Sequence, residues 1–230
     1  MTPILELQDL SFRYEGGLPG EKVLDALTFA VAPGERVGLV GCNGVGKSTL
    51  LKILVGILPI QAGALTVGGL PMERKNLAEI RRKVGYIFQD SDSQLFMPTV
   101  RADVAFAAEN YVHMEHCADR PVYRLSGGQK KLASIAGILT LDPALILMDE
   151  PSAALDPRNR RALIGILNAL PCAKLIASHD LDFIYDTCDR VLLLHHGQLA
   201  ADGPAREILR DKSLLERCEL ELPLRWQRDF

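Results

Sequence analysis

The sequence predicts an α/β fold with a mainly parallel sheet, on three observations. First, short continuous apolar runs recur, among them Val37-Gly38-Leu39-Val40, Ala144 to Met148 and Leu175 to Ser178, as strands buried on both faces require. Second, helix-prone segments follow such runs, and prolines and glycines punctuate the joins. Third, the first run leads into Gly41-Cys42-Asn43-Gly44-Val45-Gly46-Lys47-Ser48-Thr49 and then Leu50 to Val55. Strand, glycine-rich turn and helix in that order make the context of a phosphate-binding loop. Gly41, Gly44 and Gly46 let the backbone around Asn43 curl so that successive N–H groups face a phosphate chain. The helix from Lys47 through Thr49 adds its positive dipole end and unpaired N–H groups. Lys47 would reach the β- and γ-phosphates and the Ser48 hydroxyl would hold Mg²⁺. The expectation at this point is a P-loop nucleotide binder, of the P-loop NTPase fold class, with Mg²⁺; the rest of the chain must say which kind.

Composition narrows the partners. At 230 residues the chain can bury one sizeable core, and a net charge of −3 supplies no polycationic surface for nucleic acid. No apolar run reaches the roughly 20 residues that span a bilayer. Met1 to Glu6 has neither the basic nor the apolar part of an export signal. Five cysteines, odd in number and without a C-x-x-C pair, read as reduced thiols of a cytosolic protein.

Ahead of the loop, Ile4 to Tyr14 and Val23 to Val31 read as two strands of an N-terminal antiparallel β layer, with Tyr14 placed to stack on a purine. The loop helix should run to about Leu58, where Pro59 ends it. A polar stretch covers Glu73 to Lys83. Val84 to Phe88 then reads as a buried strand that delivers Gln89 at its C-terminal end, where ligands of open α/β sheets bind. Asp90 to Thr140 is helix-prone and reads as an inserted lobe. Within it, Leu125-Ser126-Gly127-Gly128-Gln129 precedes a helix and forms a second anion site from exposed amides.

The run at Ala144 to Met148 ends in Asp149-Glu150. Adjacent carboxylates at a buried strand end are costly without a cation or a proton. Asp149 suits Mg²⁺, and Glu150 suits polarising an attacking water. Asp156 and Pro157 lead into a helix over Arg158 to Leu170, and the next strand ends in His179 at the same sheet edge. A late hairpin turns at His196-Gly197, and an amphipathic helical tail begins at Ala205.

These motifs together resemble the ATP-binding subunit of ABC transporters over nearly the whole chain. They occur in that family's order: A-loop aromatic (Tyr14), Walker A (Gly41 to Thr49), Q-loop (Gln89), signature (Leu125 to Gln129), Walker B (Leu145 to Asp149) with Glu150, D-loop (Ser152 to Asp156) and H-loop (His179). The resemblance implies a RecA-like core sheet with flanking helices, in a single domain over 1–230. The helical lobe would be inserted at about 90–140 and the helical tail would cover about 205–230. It also implies an ATP-driven head-to-tail dimer with a second copy or a paralogue. Lys47, Gln89, His179 and Glu150 would act on the phosphates and water of one chain, with Gln89 also near Mg²⁺. Ser126, Gly127, Gly128 and Gln129 would complete the partner's site, because phosphoryl transfer needs charge stabilisation on several sides.

The segment Gln89 to Val100 with Asp103 to Phe106, and the tail Leu214 to Leu224, look like energy-coupling-factor importers of the cobalt/nickel type. That likeness implies membrane-embedded transporter subunits as partners and a place at the cytoplasmic face of the membrane. Leu95-Phe96-Met97 would meet a coupling helix or pack in the lobe. One departure is that Tyr111 to Ala118 is shorter than the family's usual stretch, so the lobe is shortened. His113, His116 and Cys117 share a helix face without a fourth ligand and read as a surface cluster. A soluble ABC-type ATPase acting on DNA or ribosomes is the alternative class. It is disfavoured because the chain has no long heptad insert, second cassette or basic stripe. The transported substrate, cobalt, nickel or a vitamin, is chosen outside this chain.

Overall fold

A computed structural model describes residues 2–16, 22–90, 94–95, 99–100, 119–153 and 155–227. Two sheets organise them. Strands β1 (Leu5–Phe12), β2 (Leu24–Val31), β4 (Ala62–Val67) and β5 (Leu70–Pro71) form an antiparallel sheet in the order β2-β1-β4-β5. The second sheet has the order β10-β9-β3-β8-β7-β6, built from β3 (Arg36–Val40), β6 (Val84–Ile87), β7 (Leu145–Asp149), β8 (Ala173–Ala177), β9 (Arg190–His195) and β10 (Gln198–Pro204). Its pairings are parallel except that β10 closes the edge as a hairpin with β9.

The apolar runs have the physical origin that the sequence suggests. Leu145 and Leu147, Leu175 and Ala177, Leu192 and Leu194 face the core shared with β1 and β2. Their neighbours Ile146 and Met148, Ile176, Val191 and Leu193 face a second core on the opposite side. Side chains of a strand alternate faces, so a strand covered on both sides is mainly apolar; one exception, Lys174 on β8, is wholly buried and donates to the Leu170 and Cys172 carbonyls. Helix α1 (Lys47–Leu54) fills the first core with Leu50, Leu51, Ile53 and Leu54. The second is closed by α4 (Pro157–Ala169), α5 (Leu181–Thr187), α6 (Ala205–Ile208) and α7 (Lys212–Arg217). A third, smaller cluster of Val100, Leu125, Leu132, Ala133 and Ala136 joins α3 (Gly127–Leu139) to its surroundings, with Leu95 and Ile166 packed on it.

Three expectations need correction. The loop helix stops at Leu54, not Leu58, because the chain turns at Gly56 (φ +66°) before it reaches Pro59. The polar stretch at Glu73 to Lys83 contains α2 (Leu77–Lys83), which buries only Ile80 and so carries little apolar periodicity. The tail is two short helices and a 3₁₀ turn at Leu224–Trp226, interrupted at Asp211, which caps α7, and at Pro223. The antiparallel layer also recruits β4 and β5 from beyond α1. The shortened stretch at Tyr111 to Ala118, the cluster of His113, His116 and Cys117, and Phe96 and Met97 lie outside the described residues. Among the described residues, no helix is long and apolar enough to cross a membrane.

Candidate nucleotide site

The parallel strands β3, β6, β7 and β8 all run toward one sheet edge, so their C-terminal ends bring four loops together. A cleft of about 350 Å³ opens there, lined by Tyr14, Asn43, Gly44, Gly46, Lys47, Ser48, Thr49, Gln89, Glu150 and His179, with Val23 beside them. Residues from six separate stretches of sequence thus line one cleft. The loop is shaped by backbone that only glycine adopts comfortably. Gly46 caps α1 at φ +109°, and a Cβ there would sit 2.7 Å from Leu24 Cδ2 and 2.9 Å from the Val23 carbonyl oxygen.

Lys47 is 6% exposed, and its ammonium donates to the carbonyls of Gly41 (2.7 Å) and Cys42 (3.1 Å). Burial lowers its pKa, against the pull of Glu150, Cys42 and Asp149. It is a cation held at the loop without a direct carboxylate bond, suited to a phosphate. Tyr14 is half exposed and is fixed from two sides: its hydroxyl lies 3.0 Å from Thr49 Oγ1, and its ring meets Phe12 edge-on at 5.0 Å. That leaves an aromatic face at the rim of the cleft for a purine.

Asp149 ends β7 and is 5% exposed. Its Oδ1 is buried without a hydrogen-bond partner, and burial raises its pKa, with the Ser48 hydroxyl, Lys52 and Lys47 acting the other way and Glu150 adding to the rise. An orphaned carboxylate oxygen beside a serine hydroxyl, with Gln89 on the same cleft, is the oxygen-donor set that Mg²⁺ takes. The residues present fit that ion.

Glu150 follows at φ +46°, a left-handed conformation that costs a non-glycine residue roughly 1–3 kcal/mol. Its backbone N–H donates to the Ala177 carbonyl (2.9 Å), and its carboxylate is held in turn by the start of the next loop. The Ser178 hydroxyl donates to Oε2 (2.9 Å), the His179 N–H to Oε1 (3.1 Å), and His179 Nδ1 lies 2.9 Å from Oε1. Ser178 is fully buried, and its oxygen also accepts the Asp180 N–H (3.1 Å). Sequence reading passed over Ser178, although its place directly before His179 is the signal. The carboxylate lines the cleft, held in one orientation by these bonds.

The signature residues are placed differently. Ser126 caps α3 in a capping box: its Oγ accepts the Gln129 N–H (3.3 Å), and Gln129 Oε1 accepts the Ser126 N–H (3.0 Å). Ser126 and Gly127 are exposed, and Gly128 presses on Asn159 of α4 so closely that a Cβ would lie 2.5 Å from Nδ2. Asn159 in turn donates to Asp156 (2.7 Å), the N-cap of α4. Among the described residues lining the cleft, none is from Ser126 to Gln129. One chain therefore supplies a cleft and, apart from it, a helix start at which Ser126 and Gly127 are exposed.

Cys42 is half-buried in the loop itself and packs against the first core. Maleimide labelling of Cys42 is expected to block ATP hydrolysis, with ATP protecting it; inhibition that persists in Cys42→Ala would locate the effect elsewhere. Cys42, Cys172, Cys188 and Cys218 are free thiols, and among the described residues no group of three or more His, Cys, Asp or Glu is placed to hold a metal.

Comparison with known proteins agrees with this geometry. The ABC transporter family profile matches residues 24–153, more than half of the chain. The chain is 40% identical to the energy-coupling factor transporter ATP-binding protein EcfA of Methanothermobacter thermautotrophicus, covering 96% of this chain and 77% of that one. It is 37% identical to EcfA2 of Methanospirillum hungatei over 97% of this chain and 61% of that one. Among solved structures it resembles CbiO1 of Clostridium perfringens, described as part of the ABC transporter complex CbiONQ. That match has a TM-score of 0.81 and 32% identity, and covers 94% of each chain. By this profile, these relatives and this structural match, the chain belongs to the ABC transporter family, as an ATP-binding subunit that hydrolyses ATP to power transport.

Proposed function

We propose that the chain works as one half of a head-to-tail ATPase pair that drives an energy-coupling-factor-like importer for cobalt or nickel ions or a vitamin. The observation that carries the pairing is the separation just described: Lys47, Ser48, Gln89, Glu150 and His179 share one cleft, while Ser126, Gly127 and Gly128 stand outside it on an exposed helix start. A γ-phosphate held in the cleft needs donors on its open side, and a second copy or a paralogue brings them. Closure then requires ATP, and hydrolysis removes the reason for closure.

Within one chain, Tyr14 stacks on the adenine, the amides of Gly41 to Thr49 and the Lys47 ammonium hold the phosphates, and Glu150 takes the proton of the attacking water. Gln89 and His179 orient the γ-phosphate and that water. Ser48, Gln89 and Asp149 would hold Mg²⁺, whose charge would offset that of the phosphate oxygens. The chain is read as a single ABC ATPase domain over 1–230, with the lobe at about 90–140 and the tail at about 205–230.

The importer reading rests on the likeness of Gln89 to Val100 and of the tail to such systems, and on relatives that carry the energy-coupling-factor name. It places the protein at the cytoplasmic face of the membrane, held by membrane-embedded subunits. Tagged chain recovered from detergent-solubilised membranes should bring those subunits with it. Recovery with ribosomes or DNA instead would favour the soluble class.

A further inference from the structure

Lys131 lies on α3, two residues beyond the signature, and is 3% exposed. Taking a lysine out of water is costly, and burial brings its pKa down to about 8 against the pull of Asp149 and Asp90. The ammonium donates to two backbone carbonyls, of Phe88 and of Gln89, each at 2.8 Å. These are the residues through which β6 enters the cleft. The same loop is held from its other side by Gln94, whose amide donates to the Tyr86 carbonyl (2.8 Å) and accepts the Phe88 N–H (3.2 Å). Lys131 stands five residues after Ser126, so about 7–8 Å along the helix axis separates the two.

We infer that Lys131 is a positioning residue that ties the backbone carrying Gln89 to the signature helix, so that the inner γ-phosphate contact of one site and the exposed Ser126 and Gly127 offered to the partner's site move as one body. This rests on the two-chain reading above and adds a rule to it. A chain whose own Gln89 is seated presents Ser126 and Gly127 correctly, and a chain whose loop is loose does not. The side chain touches neither substrate nor reacting atoms; it acts through the loop. A lysine is suited to the task because one ammonium can serve two carbonyls that diverge from a single turn.

The test compares Lys131→Met, which keeps the apolar stem and removes the donors, with Lys131→Arg, which restores donors. Steady-state kinetics of Lys131→Met should show kcat lowered about 10- to 100-fold with KM for ATP within about twofold, and Lys131→Arg should recover most of the loss. In the Glu150→Gln background, Lys131→Met should bind a fluorescent ATP analogue as well as its parent. It should nonetheless need at least about tenfold more protein to form the ATP-bound dimer seen by light scattering. Unchanged kcat, or a matching rise in KM with no rescue by arginine, overturns the inference. If Glu150→Gln alone stays monomeric with saturating ATP, the two-chain reading fails, and the kcat comparison still decides Lys131.

Discussion

Glu150→Gln is expected to bind ATP, to hydrolyse it about 10²- to 10³-fold more slowly, and to accumulate as an ATP-bound dimer. The substitution is nearly isosteric: a glutamine oxygen in the place of Oε2 can accept from Ser178 and, at 3.4 Å, from the His179 N–H, and an amide nitrogen in the place of Oε1 can donate to His179 Nδ1, so the turn that holds residue 150 should survive. What is lost is a base. The carboxylate that lines the cleft beside Lys47 and His179 can take a proton from water; an amide cannot. Binding relies on the loop and on Tyr14, which the change leaves alone, so the ATP affinity of the monomer should move by less than about threefold. Size-exclusion chromatography with light scattering, in the presence and absence of ATP, reads the dimer, and phosphate release reads the rate.

Asp149→Asn should part stability from activity. Oδ1 of Asp149 is buried and unpartnered, and the ionised carboxylate is disfavoured there by burial. Its folded-state pKa lies above the unfolded value, so its contribution favours the fold at low pH and is lost as pH rises through the folded-state pKa. At neutral pH the charge therefore costs stability in the nucleotide-free protein. Removing it should raise the melting temperature by about 2–4 °C, on the order of 1 kcal/mol, and that gain should shrink as pH falls toward the carboxylate range. Hydrolysis should fall about 100-fold or more, and the extra stabilisation of the wild type by Mg²⁺ with ATP over ATP alone should vanish. A variant that melts lower than wild type at pH 7 without nucleotide would show that the carboxylate is satisfied in the free protein.

Much of this was legible in the sequence because the chemistry is local. The loop from Gly41 to Thr49 carries its own glycines, its lysine and its hydroxyl within nine residues, so strand, turn and helix are written in one place. The buried strands were legible for a different reason. Two covered faces leave few polar positions, and Ala144 to Met148 has none.

The elements that escaped are those whose meaning is set by distant partners. Helix α2 buries one residue, and β5 is two residues long, so neither has a periodicity to read. The end of α1 was assigned to Pro59 when Gly56 had already turned the chain; of two breakers, the nearer one acted. Ser178 and Lys131 matter only through partners well separated along the chain, Glu150 for the one and Phe88 and Gln89 for the other. Even so, a lysine at position 131, at helical spacing from Gly128 and Ile135, sits on an otherwise buried face. A charge there asks for partners.

The site residues divide along the same line. Tyr14, Asn43, Gly44, Gly46, Lys47, Ser48, Thr49, Gln89, Glu150 and His179 come together around one cleft, and Asp149 lies beneath it beside Ser48. Gly41 shapes the loop from below, where a Cβ would press on the Leu194 carbonyl oxygen at 2.6 Å. Ser126, Gly127, Gly128 and Gln129 do not join them within the chain. Ser126 and Gly127 are exposed at the start of α3, outside the cleft.

That last fact makes the protein-concentration dependence of specific ATPase activity the deciding measurement. Dilution of purified chain at saturating MgATP, through and below the range in which light scattering detects the dimer, should lower the rate per chain in step with the loss of pairs. A rate per chain that stays constant into the fully monomeric range would mean that one chain closes its own site, and the two-chain account would be wrong.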